Sequence, residues 1–477
     1  MRIRDWWQPR TLVTILCVGA VFIMVLGFLI DPDVFWHLAN GRLILATGSI
    51  PRADPFSFTK AGTAWICHEW LTEVGMYALY NCLGPAALMI VGACVITASF
   101  ALVLIRCRAS PYLAALCTVL AVLVSAPVLG IRPQMVSLLL TSATLYIVEG
   151  GAPLWTLVPL GALWANLHGA FFTGPAVVGA YAVGEALDML ALRAKRASKG
   201  PDRLRPLIMA TIGMGLAPLL NPYGLKLYLY PFETLTSGAM RELIQEWLSP
   251  NFHKLEFQPL ALLFLALLAA LALSRKRPSL SRLILLLGAA YAALSSARHV
   301  PLFALAATPV LIEQAADLGA GATRPAGRLP RPLAVAFACV TAALLVAGIA
   351  WRIQTVAAFN ETAVGARYPV QALEVLRQDN SGGNLLNDYG WGGFLIWCGE
   401  KVFIDGRADV YGDDFLNQYS QLYRGQVAAE GILSRYDIGR VLIKPDSPLA
   451  IFLQGSSDWR KLYQDGQAVV FVREEAR

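Results

Sequence analysis

Two carboxylates one residue apart, Asp31 and Asp33, stand directly after the first long apolar run of the chain. An acidic pair at the edge of hydrocarbon is costly to leave unpaired, so it is a candidate for chemistry. The stretch that follows adds His37, Asp54, His68 and Glu69. These residue types suit two tasks. A carboxylate within hydrogen-bond reach of a hydroxyl acts as a general base. Carboxylate oxygens beside an imidazole hold Mg²⁺ or Mn²⁺, and Asp33, Asp54, His68 and Glu69 form the candidate ligand set. Plainer roles compete with both. Asp31 and Asp33 can cap a helix, Asp54-Pro55 can make a turn, and His68-Glu69 can face water.

Cations at the ends of apolar runs are the second group. Arg132 lies in Gly-Ile-Arg-Pro, and Arg298-His299 closes another run. The guanidinium fork matches phosphate oxygens, so these three are candidate phosphate ligands, with snorkelling to the interface as the structural alternative. His37, His168, Asp388, Tyr389 and Trp391 are candidates for an acceptor site or groove. The eight cysteines show no metal-ligand spacing and lie mostly in apolar runs, so they read as small core residues, with Cys67 and Cys82 expected to stay unbridged.

These residues must be positioned by membrane helices. Of 477 residues, 56% are apolar and 15% charged, the composition of a polytopic membrane protein. The net charge of +7 resides in short loops between apolar runs, which argues for topology and against nucleic acid as a partner. Eleven spans are expected, at 11–30, 84–105, 111–130, 134–149, 152–167, 170–191, 206–220, 258–273, 281–297, 300–316 and 333–351. The first is about the length of a bilayer and is read as an uncleaved span. Arg2, Arg4 and Arg10 place the N-terminus in the cytoplasm, and every second exit but one is basic, as the positive-inside rule requires. All five histidines then fall on or near the outer face.

The first outer loop, 31–83, carries an apolar stripe over 34–47 and an aromatic-rich segment over 65–82. Both are expected to be interfacial helices. A second outer loop, 221–257, contains a helix near 239–248. Residues 317–332 read as a cytoplasmic linker. From 352 the composition becomes that of a soluble α/β domain, with strands expected at 401–405, 440–444 and 468–472, a strand and turn over 384–393, and a helix over 426–436. The expected division is thus a membrane module, 1–351, and an extracytoplasmic domain, 352–477.

This order of parts resembles the GT-C superfamily of membrane glycosyltransferases, which includes oligosaccharyltransferases, protein O-mannosyltransferases and lipid A aminoarabinose transferases. Asp31-Pro32-Asp33 matches the first-loop acidic motif of that superfamily. Asn387-Asp388-Tyr389-Gly390-Trp391 shares an Asp-Tyr-Gly core with the Trp-Trp-Asp-Tyr-Gly motif of oligosaccharyltransferases, but has Leu386 and Asn387 where the tryptophans stand. The resemblance implies a bacterial inner-membrane enzyme that moves a sugar from a polyprenyl-phosphate donor to an extracytoplasmic glycan, lipid or protein, with Asp33 or Asp31 as base. Two other readings are a transporter or flippase, and a non-catalytic protein whose outer domain binds a glycan or partner. The first lacks visible inverted halves and mid-span charges.

Overall fold

The computed structural model describes residues 9–27, 31–107, 110–193, 203–319, 330–379, 381–427 and 429–474. Arg2, Arg4, Arg108, Lys195, Arg196, Lys199, Arg324 and Arg328, which contribute to the charge pattern, lie outside the described residues. The chain divides into two compact units. One comprises residues 1–28, 89–227 and 245–355, and the other 29–88, 228–244 and 356–477. The first outer loop, read from the sequence as part of the membrane module, thus clusters with the C-terminal segment. That segment is one part of a unit assembled from three stretches of chain.

The first unit is a helical bundle. Among the described residues, six helices are long and apolar enough to cross a membrane: Trp70–Arg106, Pro111–Val128, Gly169–Leu190, Leu255–Leu273, Ala297–Leu318 and Pro332–Val356. The chain is a multi-pass membrane protein. The helices Thr11–Val25, Leu154–Leu167 and Leu280–Ser295 are apolar but shorter. They fall where three of the expected spans were drawn. Close approach between helices rests on small residues, as in membrane bundles generally. A Cβ on Gly184 would come within 2.3 Å of the Ser281 backbone, so only glycine lets the helices Thr173–Arg193 and Leu280–Ser295 touch there. The expected span over 134–149 ends as the helix Gln134–Tyr146 followed by a single wide turn to Gly151, where Gly150 takes a φ of 101°.

The second unit holds a four-stranded sheet: β1 (Asn384–Asn387), β2 (Ile438–Ile443), β3 (Trp459–Gln464) and β4 (Val469–Arg473), in the order β1-β2-β4-β3. Strands β1 and β2 are parallel, and their connection carries the helices Gly392–Trp397, Ala408–Tyr423 and Ala429–Arg435, as a parallel crossover requires. The other two pairings are antiparallel. Residues 401–405 form no strand; Val402 makes only an isolated bridge with Ser57. The reason is local. The Asn387 amide donates to the Ile404 carbonyl and accepts from the Phe403 N–H, so a side chain takes the place of a ladder. β3 escaped prediction because it is an edge strand whose Arg460 and Lys461 face solvent.

The first-loop helix spans Val34–Thr47, as its apolar stripe predicts, and ends at Gly48, whose φ of 65° suits a left-handed cap. The expected interfacial helix over 65–82 begins instead at Trp70 and runs on to Arg106, broken at Gly84 by a φ of 79° just before Pro85.

Candidate active site

The Asp-Pro-Asp turn is built from its own side chains. The Asp31 carboxylate accepts from the Asp33 backbone N–H at 3.0 Å, which closes an Asx-type turn before the helix. Asp33 occupies the N-cap position, but its side chain makes no cap bond. Its Oδ1 accepts instead from the Trp36 indole N–H at 3.0 Å. Asp31 therefore shapes the backbone, while Asp33 presents a carboxylate held by an aromatic ring.

Two glycines from the C-terminal segment press against this turn. A Cβ on Gly393 would lie 2.6 Å from the Pro32 carbonyl, and one on Gly406 would lie 2.0 Å from Asp33 Oδ1. Tyr368, Phe35 and Phe394 pack edge-to-face or stacked on the same side, with centroids 5.0–5.5 Å apart. The expected result for Gly406→Ala is a displaced Asp33 carboxylate and a loss of about 1–3 kcal/mol from overpacking. A lowered Tm together with a shifted Trp36 indole N–H resonance checks this. An unchanged resonance refutes it.

One helical turn further on, a buried group of charges forms. The His37 Nδ1 lies 2.9 Å from Glu73 and 3.6 Å from Glu69. His68 Nε2 lies 3.5 Å from Glu69, and its ring stacks on Tyr230 with centroids 3.8 Å apart. Burial works against a charge on His37, but the hydrogen bond to Glu73 and the charges of Glu69, Glu73 and Asp33 outweigh it and raise its pKa. For His68 burial again lowers the pKa, and the charge of Glu69 with that of Asp409 raises it overall. Glu69, expected as a ligand beside Asp54, thus groups with His37 and Glu73.

Asp54 is used elsewhere. It accepts from Arg407 Nη1 at 2.7 Å, from the backbone N–H groups of Phe56 and Ser57, and from the Ser57 hydroxyl. Arg407 also makes a two-pronged pair with Asp405, at 2.8 and 2.7 Å, and lies over the faces of Phe56 and Trp65. Its lone pairs spent, Asp54 has nothing left for a metal ion. The turn reading of Asp54-Pro55 describes it better.

The Asp-Tyr-Gly segment is likewise tied down from within. Asp388 accepts from the Gly390 N–H and from the Tyr423 hydroxyl at 2.6 Å, with Lys444 3.9 Å away. The Trp391 indole donates to the Arg367 carbonyl, and the ring is 4% exposed, so it packs the unit rather than lining its surface. Tyr389 is half-buried.

In the first unit, Arg132, His168, Arg298 and His299 line one cleft together with Ser137, Gln134 and Thr173. Arg132 pairs with Glu246 through Nη2. Arg298 lies over the Trp247 ring, 5.3 Å from its centre. The Trp164 indole donates to the Ser137 hydroxyl at 2.6 Å, and Ser137 lies 2.7 Å from His168 Nδ1, which also accepts from the Ala170 N–H. With Nδ1 accepting, Nε2 carries the proton of the neutral ring.

Sequence reasoning missed Glu73, Asn40 and Arg407. The first two had a signal. His37 and Asn40 are three apart and Glu69 and Glu73 four apart, so helical periodicity puts each pair on one face. Arg407 had none, because its partner Asp54 lies 353 positions away.

No protein-family model and no curated protein matches the sequence. Solved structures do match. An oligosaccharyltransferase from Archaeoglobus fulgidus, AglB in complex with an inhibitory peptide and a dolichol-phosphate, aligns with 100% of this chain and 75% of its own at 10% identity and a TM-score of 0.51. The apo form of an oligosaccharyltransferase from the same organism aligns with 92% of this chain and 70% of its own, at 11% identity and a TM-score of 0.50. The arabinofuranosyltransferase AftD from Mycobacteria aligns with 100% of this chain, which spans 40% of it, at 15% identity and a TM-score of 0.51. At such identities the likeness speaks for the fold alone: the chain has a GT-C-like fold.

Proposed function

We propose that the protein is a membrane glycosyltransferase that moves a sugar from a polyprenyl-phosphate carrier to an acceptor hydroxyl on the extracytoplasmic side of a bacterial inner membrane. The observation that carries this reading is the cleft of the first unit. It gathers Arg132, His168, Arg298 and His299 from positions far apart in the chain. Its two guanidiniums, Arg132 paired with Glu246 and Arg298 over the Trp247 ring, suit the cleft to an anionic ligand. A phosphate that departs as a dianion needs such donors aimed at it as its charge grows. That a structural neighbour was solved with a dolichol-phosphate supports the ligand class.

In this reading the bond from the anomeric carbon to the phosphate oxygen breaks, and its electron pair leaves with the phosphate. Arg132, Arg298 and His168 Nε2–H stabilise that charge. The acceptor oxygen bonds the anomeric carbon and its proton passes to a carboxylate base, the role proposed for Asp33 from its place in the first-loop acidic motif. A bound divalent ion would add positive charge to the phosphate. Asp54 is committed to Arg407 and to the Phe56 and Ser57 groups, so no step is assigned to a metal.

The test is transfer of radiolabelled sugar from polyprenyl-phosphate donors in proteoliposomes. Arg298→Gln is expected to raise KM for the donor about 10- to 100-fold, the worth of one hydrogen bond to a charged group. A KM unchanged by this variant, or no turnover of any polyprenyl-phosphate sugar by the wild type, would overturn the assignment.

A further inference from the structure

The buried His37 group has a composition that the transfer chemistry does not need. One ligand atom each from His37, Glu69 and Glu73 lie within 4.8 Å of one another, with the residues 3%, 8% and 1% exposed. Two carboxylates this deep require a cation. Asn40, Cys67 and the Trp36 ring, whose centre lies 3.6 Å from that of His37, pack around the group as uncharged neighbours. The guanidinium of the same unit that lies nearest in role, Arg407, is committed to Asp405 and Asp54.

A second observation points to a ligand. Asn40 is fully buried and donates to Glu73 at 2.5 Å, yet its own Oδ1 has no hydrogen-bond partner. An orphaned buried acceptor at this depth costs about 1–3 kcal/mol. A water held on a cation between His37, Glu69 and Glu73 would supply the missing donor.

We propose that His37 Nδ1, Glu69 and Glu73 hold one divalent transition-metal ion of the Zn²⁺ class, with Asn40 and His68 orienting the two carboxylates. Three protein ligands leave a position for water. A mixed imidazole and carboxylate set favours Zn²⁺ or Mn²⁺ over Mg²⁺, which prefers oxygen and its own waters. The partners that hold the ligands are of the kind that orients metal-binding side chains. His37 sits on Val34–Thr47 and Glu73 on Trp70–Arg106, so the ion ties the first-loop helix to the start of the long one. Neither Asp31 nor Asp33 belongs to the set, so this site stands or falls independently of the sugar-transfer reading.

The test uses the full-length protein in nanodiscs, read by elemental analysis, Zn²⁺ titration and thermal unfolding. The expected result is about one tightly held Zn²⁺ per chain. Chelation should lower Tm, and Zn²⁺ but not Mg²⁺ should restore it. Glu73→Gln and His37→Gln should abolish the binding, while Asn40→Ala weakens it about 10- to 100-fold. X-ray absorption of the Zn²⁺-loaded wild type should show nitrogen and oxygen without sulfur, a readout that survives if a variant fails to fold. Equal Zn²⁺ content in wild type and Glu73→Gln, a sulfur neighbour from Cys67, or a wild type whose Tm ignores both chelator and Zn²⁺ would each overturn the proposal.

Discussion

Asp33→Asn is expected to lower sugar transfer by about 10²- to 10⁴-fold, the range set by loss of a general base, with Tm nearly unchanged. The amide keeps an oxygen that accepts from the Trp36 indole, so the turn survives while the proton acceptor is lost. Asp31→Asn is the internal control. Its amide oxygen still accepts from the Asp33 N–H, so activity should fall only a few-fold, through geometry. The split between these two variants is the informative quantity. Equal and complete loss in both would mean that the turn, and not a carboxylate at Asp33, is what transfer requires. Full activity in Asp33→Asn would remove the base altogether. Measuring kcat and KM for the acceptor separates these cases, since a missing base acts on kcat.

Arg407→Met is expected to destabilise the second unit by about 3–5 kcal/mol, because it strands two buried carboxylates. Asp405 and Asp54 are 0% and 4% exposed, and the Tyr411 hydroxyl that donates to Asp405 at 2.6 Å cannot neutralise them both. Thermal unfolding in detergent provides the measurement. Arg407→Lys should rescue little, since one ammonium cannot reproduce the two-pronged pair with Asp405 and the separate bond to Asp54. Adding Asp405→Asn to Arg407→Met should recover part of the loss. If Arg407→Met melts like the wild type, the cluster is not what binds the first outer loop to the C-terminal segment.

Much of the architecture is readable from local pattern. Membrane spans announce themselves because hydrocarbon excludes unpaired polar backbone, and long apolar runs such as Leu255–Leu273 leave no other option. The first-loop helix was legible from its stripe of Val34, Phe35, Leu38, Leu43 and Ile44, and β2 and β4 from their runs of buried Val, Leu and Ile. Local pattern failed where bonding is not local. Residues 401–405 look like a strand, but Asn387 supplies their partners, and β3 has no apolar run because it is an edge.

For the site the same division holds. Residue type and position nominate the Asp-Pro-Asp turn, Arg132, Arg298 and the histidines as candidates, since charge at a membrane border is costly without a purpose. Type and position do not say which charge meets which. Only the folded chain sets Asp31 to brace the backbone and Asp33 to present its carboxylate, sends Asp54 to Arg407, and replaces it beside Glu69 with His37 and Glu73. Composition and periodicity act within a few turns of chain, whereas electrostatic pairing in a low-dielectric interior is decided by contacts from 36 to 353 residues apart.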